Sequence, residues 1–235
     1  MNTEKLIKKH PRLWHMAQDG SWPSISEHGL LSTSSLLDLY KIEGQKRLDL
    51  ESRHRPKSVA ISCPGLPGAV VRDQKPMKEH ELAGSLDDGL APSDWYEILN
   101  ARVFFWPCNR RLRGLLGAVS YRKDVQTVLT LDTATIVAAY ADVIQLSPIN
   151  SGSTIQTIAR RGLKTFASIS DFPLEPHRQG PGKYQKVAEV VIPDRVVPID
   201  DHVLAVHRVK KDQIIEELWR SPRAKPDDGP FMMPK

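Results

Sequence analysis

Glu189 stands in a segment whose residue types favour a strand, Tyr184 to Pro193, and that follows a long polar stretch from Arg160 to Gly182. Alternation along a strand places its carboxyl on the same face as Val187 and Val191. Burying a carboxylate without a partner is costly, which favours a catalytic role for Glu189. The alternative is an outward carboxylate on a half-buried strand. The polar stretch before it has the length of a mobile lid or a disordered connection.

His15 ends a short apolar run that begins at Leu13 and precedes a turn at Gly20. A short helix is predicted from Trp22 to His28, and it closes on Gly29. This layout puts an imidazole at the end of a strand that a helix holds in place, which is a good position for binding a ligand. The alternative is an ordinary histidine whose ring is satisfied within the core or at the surface.

Two arginines are candidates for binding an anion. Arg72 opens the cluster R-D-Q-K-P directly after a predicted strand, and its planar guanidinium suits a phosphate. The alternative for Arg72 is a surface pair with Asp73. Arg110 belongs to N-R-R-L-R, the densest local positive charge in the chain. Its alternative role is to form the exposed side of a helix.

Aromatic and small polar residues complete the set of candidates. Phe104, Phe105 and Trp106 follow one another on a predicted strand, so their rings lie on both of its faces. Ser151 lies in S-P-I-N-S-G-S-T, a composition typical of a loop that wraps closely around a ligand and equally typical of a plain loop.

Composition favours one globular domain of residues 1–220 with a flexible, Pro-rich tail at 221–235. The net charge is +5 and the pI is about 9.2, which suits a polyanionic partner such as a nucleic acid or a dinucleotide.

Cys63 and Cys108 have no metal-ligand spacing, so we expect no metal site. No apolar run approaches the roughly 18 residues of a membrane helix, and no secretory signal is recognisable, so we expect a cytoplasmic protein without membrane contact.

The pattern of apolar residues predicts about seven strands with helices between several of them. Short strands joined by hairpins favour an α+β fold with a split, mostly antiparallel sheet and flanking helices. The last strand is predicted from His202 to Val209, and a final helix from about Asp212 to Trp219.

Three of these patterns together resemble the DarT-like ADP-ribosyltransferases. The strand W-H-M-A, followed after a turn and a helix by H-G-L-L-S, resembles the opening of that family, Y-H-I-T and then G-L-L-S, with Trp14 in place of the Tyr. The strand A-E-V-V-I around Glu189 is similar to the family's catalytic-glutamate strand, A-E-F-L-V. The chain also resembles an uncharacterised bacterial family that shares the patches W-P-S-I, R-D-Q-K-P, R-V-F-F-W and S-P-I-N-S-G-S.

The first resemblance implies two small packed sheets with NAD+ in the cleft between them, and cleavage of the bond between nicotinamide and ribose. Glu189 and His15 would be the catalytic residues. The resemblance also implies transfer of ADP-ribose to an acceptor, a DNA base in those enzymes, and a toxin with an antitoxin partner. The residues that would bind NAD+ are His15, Arg72, Phe104, Phe105, Trp106, Arg110 and Ser151.

Two other functions fit the same residues. One is an inactive nucleotide- or nucleic-acid-binding module, in which His15 and Glu189 do not converge on one cleft. The other is an NAD+ glycohydrolase with no macromolecular acceptor, which needs a closed pocket without a basic groove leading from it.

Overall fold

Two four-stranded antiparallel sheets form the centre of the molecule. The computed structural model describes residues 1–155, 158–173 and 187–231. Helix, with the 3-10 turns included, accounts for 31% of the described residues and strand for 27%, which makes this an α+β fold as the sequence predicts. In these described ranges no helix is long and apolar enough to cross a bilayer.

The described residues form eight helices and twelve strands. The helices are α1 (Thr3–Lys9), α2 (Trp22–His28), α3 (Thr33–Leu39), α4 (Gly44–Glu51), α5 (Glu79–Ser85), α6 (Pro92–Asn100), α7 (Asn109–Leu116) and α8 (Thr133–Tyr140). The strands are β1 (Arg12–Gln18), β2 (Leu30–Leu31), β3 (Val59–Ile61), β4 (Ala69–Val71), β5 (Arg102–Phe105), β6 (Val125–Asp132), β7 (Gln145–Ser147), β8 (Ala167–Ser168), β9 (Glu189–Pro193), β10 (Arg195–Val196), β11 (Val203–Lys210) and β12 (Gln213–Arg220).

The first sheet has the strand order β1-β6-β11-β12, and the second has the order β5-β9-β7-β8. One core cluster contains residues from both sheets, among them Leu13 and Leu129 from the first and Phe105 and Ile192 from the second. A second cluster lies between the other face of β9 and helices α5 and α6, where Trp95 is fully buried. The two sheets therefore share one interior while the second sheet is covered on its outer face as well.

The C-terminal strand β12 replaces the helix predicted from Asp212 to Trp219. Lys211 has φ +55 and forms a tight turn after β11, which directs the chain back along the sheet. Ile214, Ile215, Leu218 and Trp219 recur at helical spacing, but this segment pairs with β11 along its length. The helix prediction was wrong because local spacing does not show that a neighbouring strand is available for pairing.

The Pro-rich C-terminal segment is packed against β1 over its described part, residues 221–231. The buried carboxylate of Asp228 accepts hydrogen bonds from Arg12 Nε at 2.6 Å and Nη2 at 3.2 Å. Trp14 Nε1 donates to the carbonyl of Gly229 at 3.0 Å. The expectation of a loose tail therefore fails for these residues, because a paired carboxylate and an indole anchor them. Residues 232–235 lie outside the described part of the chain.

The expectation of a long mobile connection from Arg160 to Gly182 also fails over its first half. Residues 160–173 contain a short 3-10 turn, strand β8 and the fully buried side chain of Arg161. The remaining residues, 174–182, lie outside the described part, as do residues 184–186 of the strand predicted around Glu189. Within the described residues, that strand begins at Glu189 itself.

Asp228→Ala is expected to lower the free energy of unfolding by about 3 kcal/mol, because it removes the closer of two carboxylates that pair with the largely buried Arg12 and leaves only Asp132 at 3.5 Å. Chemical denaturation measures the change. Asp227→Ala is the matched control, since Asp227 is exposed and lies next to Asp228 in the chain. Equal free energies of unfolding in the two variants would contradict the anchoring role of Asp228.

Candidate functional site

Among the described residues, the two sheets are joined by one hydrogen-bonded backbone pair. Trp14 N donates to Trp106 O at 3.0 Å, and Trp106 N donates to Trp14 O at 2.8 Å. The next hydrogen-bonded pair in an antiparallel ladder would be Met16 with Phe104. Instead, the His15 ring lies in the gap, with Nδ1 at 2.9 Å from Phe104 O. The side chain of His15 thus takes over a bond that the backbone of β1 would otherwise make.

The backbone of Met16 is left open on the side of this gap. Trp14 directs its N–H and C=O toward β5, so Met16, two residues on, directs its own groups the same way. No described residue pairs with them there. A free N–H beside a free C=O on a strand edge matches the donor and acceptor of a primary carboxamide.

The imidazole of His15 is neutral at neutral pH. Burial lowers its pKa to about 4, against the effect of the bond to Phe104, and the nearby Arg72 lowers it further. A carbonyl oxygen only accepts, so Nδ1 carries the proton and Nε2 keeps its lone pair. The ring therefore offers an acceptor, which suits a hydroxyl group of a ligand.

Glu189 opens strand β9 with a carboxylate that is only 3% exposed. The N–H of Ser151 lies 3.2 Å from each of its two oxygens. Burial raises the pKa of Glu189 to about 7, although Ser151, Arg111 and Arg161 all favour the ionised form. The hydroxyl of Ser151 is buried and has no partner among the described residues. A pKa near neutral pH suits a group that acts in general acid–base catalysis.

The residue Ser151 is held from both sides. Its carbonyl accepts from Trp95 Nε1 at 3.3 Å and from Arg161 Nη1 at 3.3 Å, while its N–H faces Glu189. Strand β7 leads into this loop, and Ser147 at its end pairs with Glu189 in the sheet. The structure thus places Ser151, a predicted ligand-binding residue, against Glu189, a predicted catalytic residue.

Arg72 lies close enough to His15 to influence its charge, but it does not pair with Asp73 as one alternative had it. Its Nη1 donates to Gln126 Oε1 at 2.6 Å, and its guanidinium stacks at 5.5 Å over the ring of Tyr121. Asp73 instead accepts from Tyr121 Oη at 2.8 Å. In the described chain Arg72 thus has one neutral hydrogen-bond partner and retains donors for an anion.

The other predicted site residues fall into different places. Phe105 is 1% exposed and points into the shared core, so its ring does not reach a ligand. Phe104 packs edge-on against Phe166 at 6.1 Å, and Trp106 joins the sheets through Trp14. Arg110 is exposed on α7 and has no contact with this group of residues.

His15 and Glu189 do not contact one another. Strand β5 lies between β1 and β9, so their backbones are about 10 Å apart. Glu189 lies on the face of Val191, which packs in the second core cluster, whereas His15 packs against Phe105 with a ring distance of 5.9 Å. The two groups therefore flank β5 from opposite faces.

Several residues of this site carry no signal in the sequence. Arg161 and Trp95 reach Glu189 only through Ser151, and Met16 contributes its backbone alone. Gln126 is a polar residue at a buried strand position, which is the one pattern that points to a partner. Two surface depressions of about 610 and 520 Å3 lie elsewhere, and neither is lined by His15 or Glu189.

Comparison with known proteins gives a family but no activity. A family model described as a family of unknown function, DUF7002, matches residues 11–203. No curated protein matches the chain. The matched range includes His15, Arg72, Ser151, Arg161 and Glu189.

Proposed function

The chain belongs to the DUF7002 family, and because the function of that family is unknown, we propose one from the site itself: cleavage of NAD+ at the nicotinamide–ribose bond with transfer of ADP-ribose to an acceptor. The observation that carries the proposal is the buried Glu189, with a pKa of about 7, one strand away from the gap that holds His15 and the open backbone of Met16. The resemblance of both strands to those of the DarT-like enzymes points to the same reaction.

Each group has a distinct task in this proposal. The ionised carboxylate of Glu189 faces the positive charge that develops on the ribose and orients its 2′-hydroxyl. His15 Nε2 accepts a hydrogen bond from a ribose hydroxyl, and the backbone of Met16 pairs with the carboxamide. The remaining donors of Arg72 bind the pyrophosphate.

The acceptor that we propose is a nucleic acid base. The net charge of +5 and the exposed arginines of α7 favour a polyanion at the surface. We place the reaction in the cytoplasm, where NAD+ and nucleic acid are both available. An antitoxin partner remains a prediction from the resemblance alone.

One observation favours a second function, a nucleotide-binding module without catalysis. Glu189 is buried beneath Ser151 and does not contact His15, so binding in the gap does not by itself bring the carboxylate to a ligand. In that case His15, Met16 and Arg72 bind the nucleotide, and Glu189 only fixes the loop.

Incubation with NAD+ labelled in the adenosine part, together with separate DNA, RNA and protein acceptors, tests the proposal. We expect release of nicotinamide and transfer of label to one acceptor class, and loss of both in Glu189→Gln. His15→Ala is expected to raise the KM for NAD+ about tenfold or more, because it removes one ligand contact and opens the Phe104 carbonyl.

The alternative outcomes separate the three functions. Nicotinamide release without transfer on any acceptor would identify a glycohydrolase. Binding of NAD+ by folded protein without turnover would support the binding module. Absence of both binding and turnover, with the fold confirmed by circular dichroism, would refute the proposal.

A further inference from the structure

We infer that Arg161 is a positioning residue for Glu189 and acts on it through Ser151. The catalytic meaning of this role rests on the proposed function, but the contacts themselves do not. Arg161 is 1% exposed, which is rare for an arginine, and neither its sequence neighbours nor its position outside the regular elements indicates it as a site residue.

The partners of Arg161 are all uncharged. Its guanidinium donates to three backbone carbonyls, those of Ala159 at 3.1 Å and of Ser151 and Ser153 at 3.3 Å each. Its Nη1 also lies 3.9 Å from the sulfur of Met77. No carboxylate of a described residue lies within ion-pair distance. Burying a cation without an ion pair costs free energy. We therefore expect the guanidinium of Arg161 to stabilise a specific part of the structure in return.

The part of the structure that Arg161 stabilises is the backbone of Ser151. Among the described residues, Ser151 is the one that hydrogen-bonds to both Arg161 and Glu189, through its carbonyl and its N–H respectively. Rotation of this residue would break the 3.2 Å contacts to the carboxylate, and Arg161 with Trp95 holds the carbonyl against such rotation. The guanidinium therefore fixes the one backbone donor that the described chain offers to Glu189.

The charge of Arg161 acts in the same direction. Two cations of the described chain favour ionised Glu189: Arg161 from the loop and Arg111 from α7. From α6, which covers the same face, the contact to Ser151 comes from the uncharged Trp95. Loss of Arg161 thus removes one of two favourable charges and loosens the single N–H donor, and both changes favour the protonated carboxyl.

A purely structural arginine would give a different result. It would hold residues 151–153 and 159–161 together, and its removal would lower stability without a specific effect on the titration of Glu189. The titration of Glu189 therefore distinguishes the two roles, whether or not the protein turns over NAD+.

Carboxyl 13C NMR of the protein labelled at glutamate measures this titration directly, with Glu189→Gln to identify the signal. In Arg161→Met we expect the pKa of Glu189 to rise by about one pH unit, a tenfold change in proton affinity. Trp95→Phe removes one bond to Ser151 and keeps the charge, so we expect a smaller rise. Arg161→Lys keeps the charge and loses the fork, and we expect an intermediate value.

Arg160→Met is the matched control. Arg160 is the adjacent cation, its side chain is 63% exposed, and it bonds to Gly84, Leu86 and Asp87 rather than to Ser151. An equal Glu189 titration in Arg161→Met and Arg160→Met would overturn the inference. If Arg161→Met does not fold, Arg161→Lys and Trp95→Phe carry the test, and a wild-type titration in both would overturn it equally.

The same variants keep this inference separate from the proposed function. If the wild type turns over NAD+, the pH profile of kcat is expected to move to higher pH in Arg161→Lys, in parallel with the NMR titration. If the wild type does not turn over NAD+, the proposed function fails while the NMR result still decides the role of Arg161.

Discussion

Replacement of Glu189 by Gln is expected to lower NAD+ turnover strongly and, above neutral pH, to make the protein more stable. The carboxyl has a pKa of about 7 in the fold and an ordinary value of 4.5 when unfolded, so between these values the folded state binds the proton more tightly. Stability is therefore unaffected by this group at low pH and falls as the pH rises through this window. Above it the cost reaches about 3 kcal/mol.

The amide of Gln removes this cost and keeps one of the two contacts to Ser151 N, because its oxygen still accepts while its NH2 group replaces the second acceptor. We expect the NH2 group to donate to the buried hydroxyl of Ser151, which lacks a partner in the described chain. Without a negative charge the positive charge that develops on the ribose is no longer stabilised, and we expect turnover to fall by about 10²- to 10³-fold. Stability and activity thus change in opposite directions, which marks a residue retained for function.

Denaturant unfolding at acid and at alkaline pH measures the first effect, and release of nicotinamide measures the second. Glu216→Gln is the matched control, because Glu216 lies on a strand but is exposed and pairs with Arg208 at the surface. We expect the control to change neither quantity appreciably. A Glu189→Gln protein that is no more stable than wild type at alkaline pH would show that the carboxylate is better compensated than its burial indicates.

Gly29→Ala is expected to destabilise the fold by about 3–5 kcal/mol, whereas Gly20→Ala is expected to cost about 1 kcal/mol. Gly29 has φ +83 and ψ 178, a conformation that only glycine adopts readily. A Cβ atom there would lie 2.7 Å from the carbonyl oxygen of Val196 and would clash with the side chain of Val197. Strain and overlap therefore act together at this position.

Gly20 serves as the control because only one of the two effects is present. It has φ +80, and a Cβ atom there would meet nothing within 4 Å. Thermal or chemical unfolding of both variants measures the difference. If the two variants lose similar amounts of unfolding free energy, the positive φ alone explains why glycine is needed at position 29. The contacts of residue 29 with Val196 and Val197 would then relax at little cost.

The G-L-L-S motif shows which parts of the fold can be predicted from the sequence and which cannot. Its residues are structural: Gly29 permits close approach, Leu30 and Leu31 form β2 against β10, and Ser32 caps α3 through the N–H of Ser35. Helix α2 was predictable because the spacing of its apolar residues and the glycine at its C-terminal end, Gly29, both indicate a helix within a few residues of sequence. The placement of β10 was not, because it comes from a segment more than 160 residues away.

The site divides in the same way. Glu189 and Ser151 were predictable as candidates, since each has a local pattern, and the fold brings them into contact. Phe105 was misplaced because three consecutive aromatics do not reveal which face of the strand is core. Arg161 was not identifiable from the sequence. Its partners are backbone carbonyls and the sulfur of Met77, and neither gives a charged or polar partner residue that could be recognised in the sequence.

Among the described residues, one backbone pair, Trp14 with Trp106, connects the edges of the two four-stranded sheets. A ligand bound to the free backbone N–H and C=O of Met16 would replace the hydrogen bonds that are missing between β1 and β5. Ligand binding would then connect the two sheets more firmly, so that the bound protein is more rigid than the free protein. Amide exchange along β1 and β5 is the natural reporter of that closure.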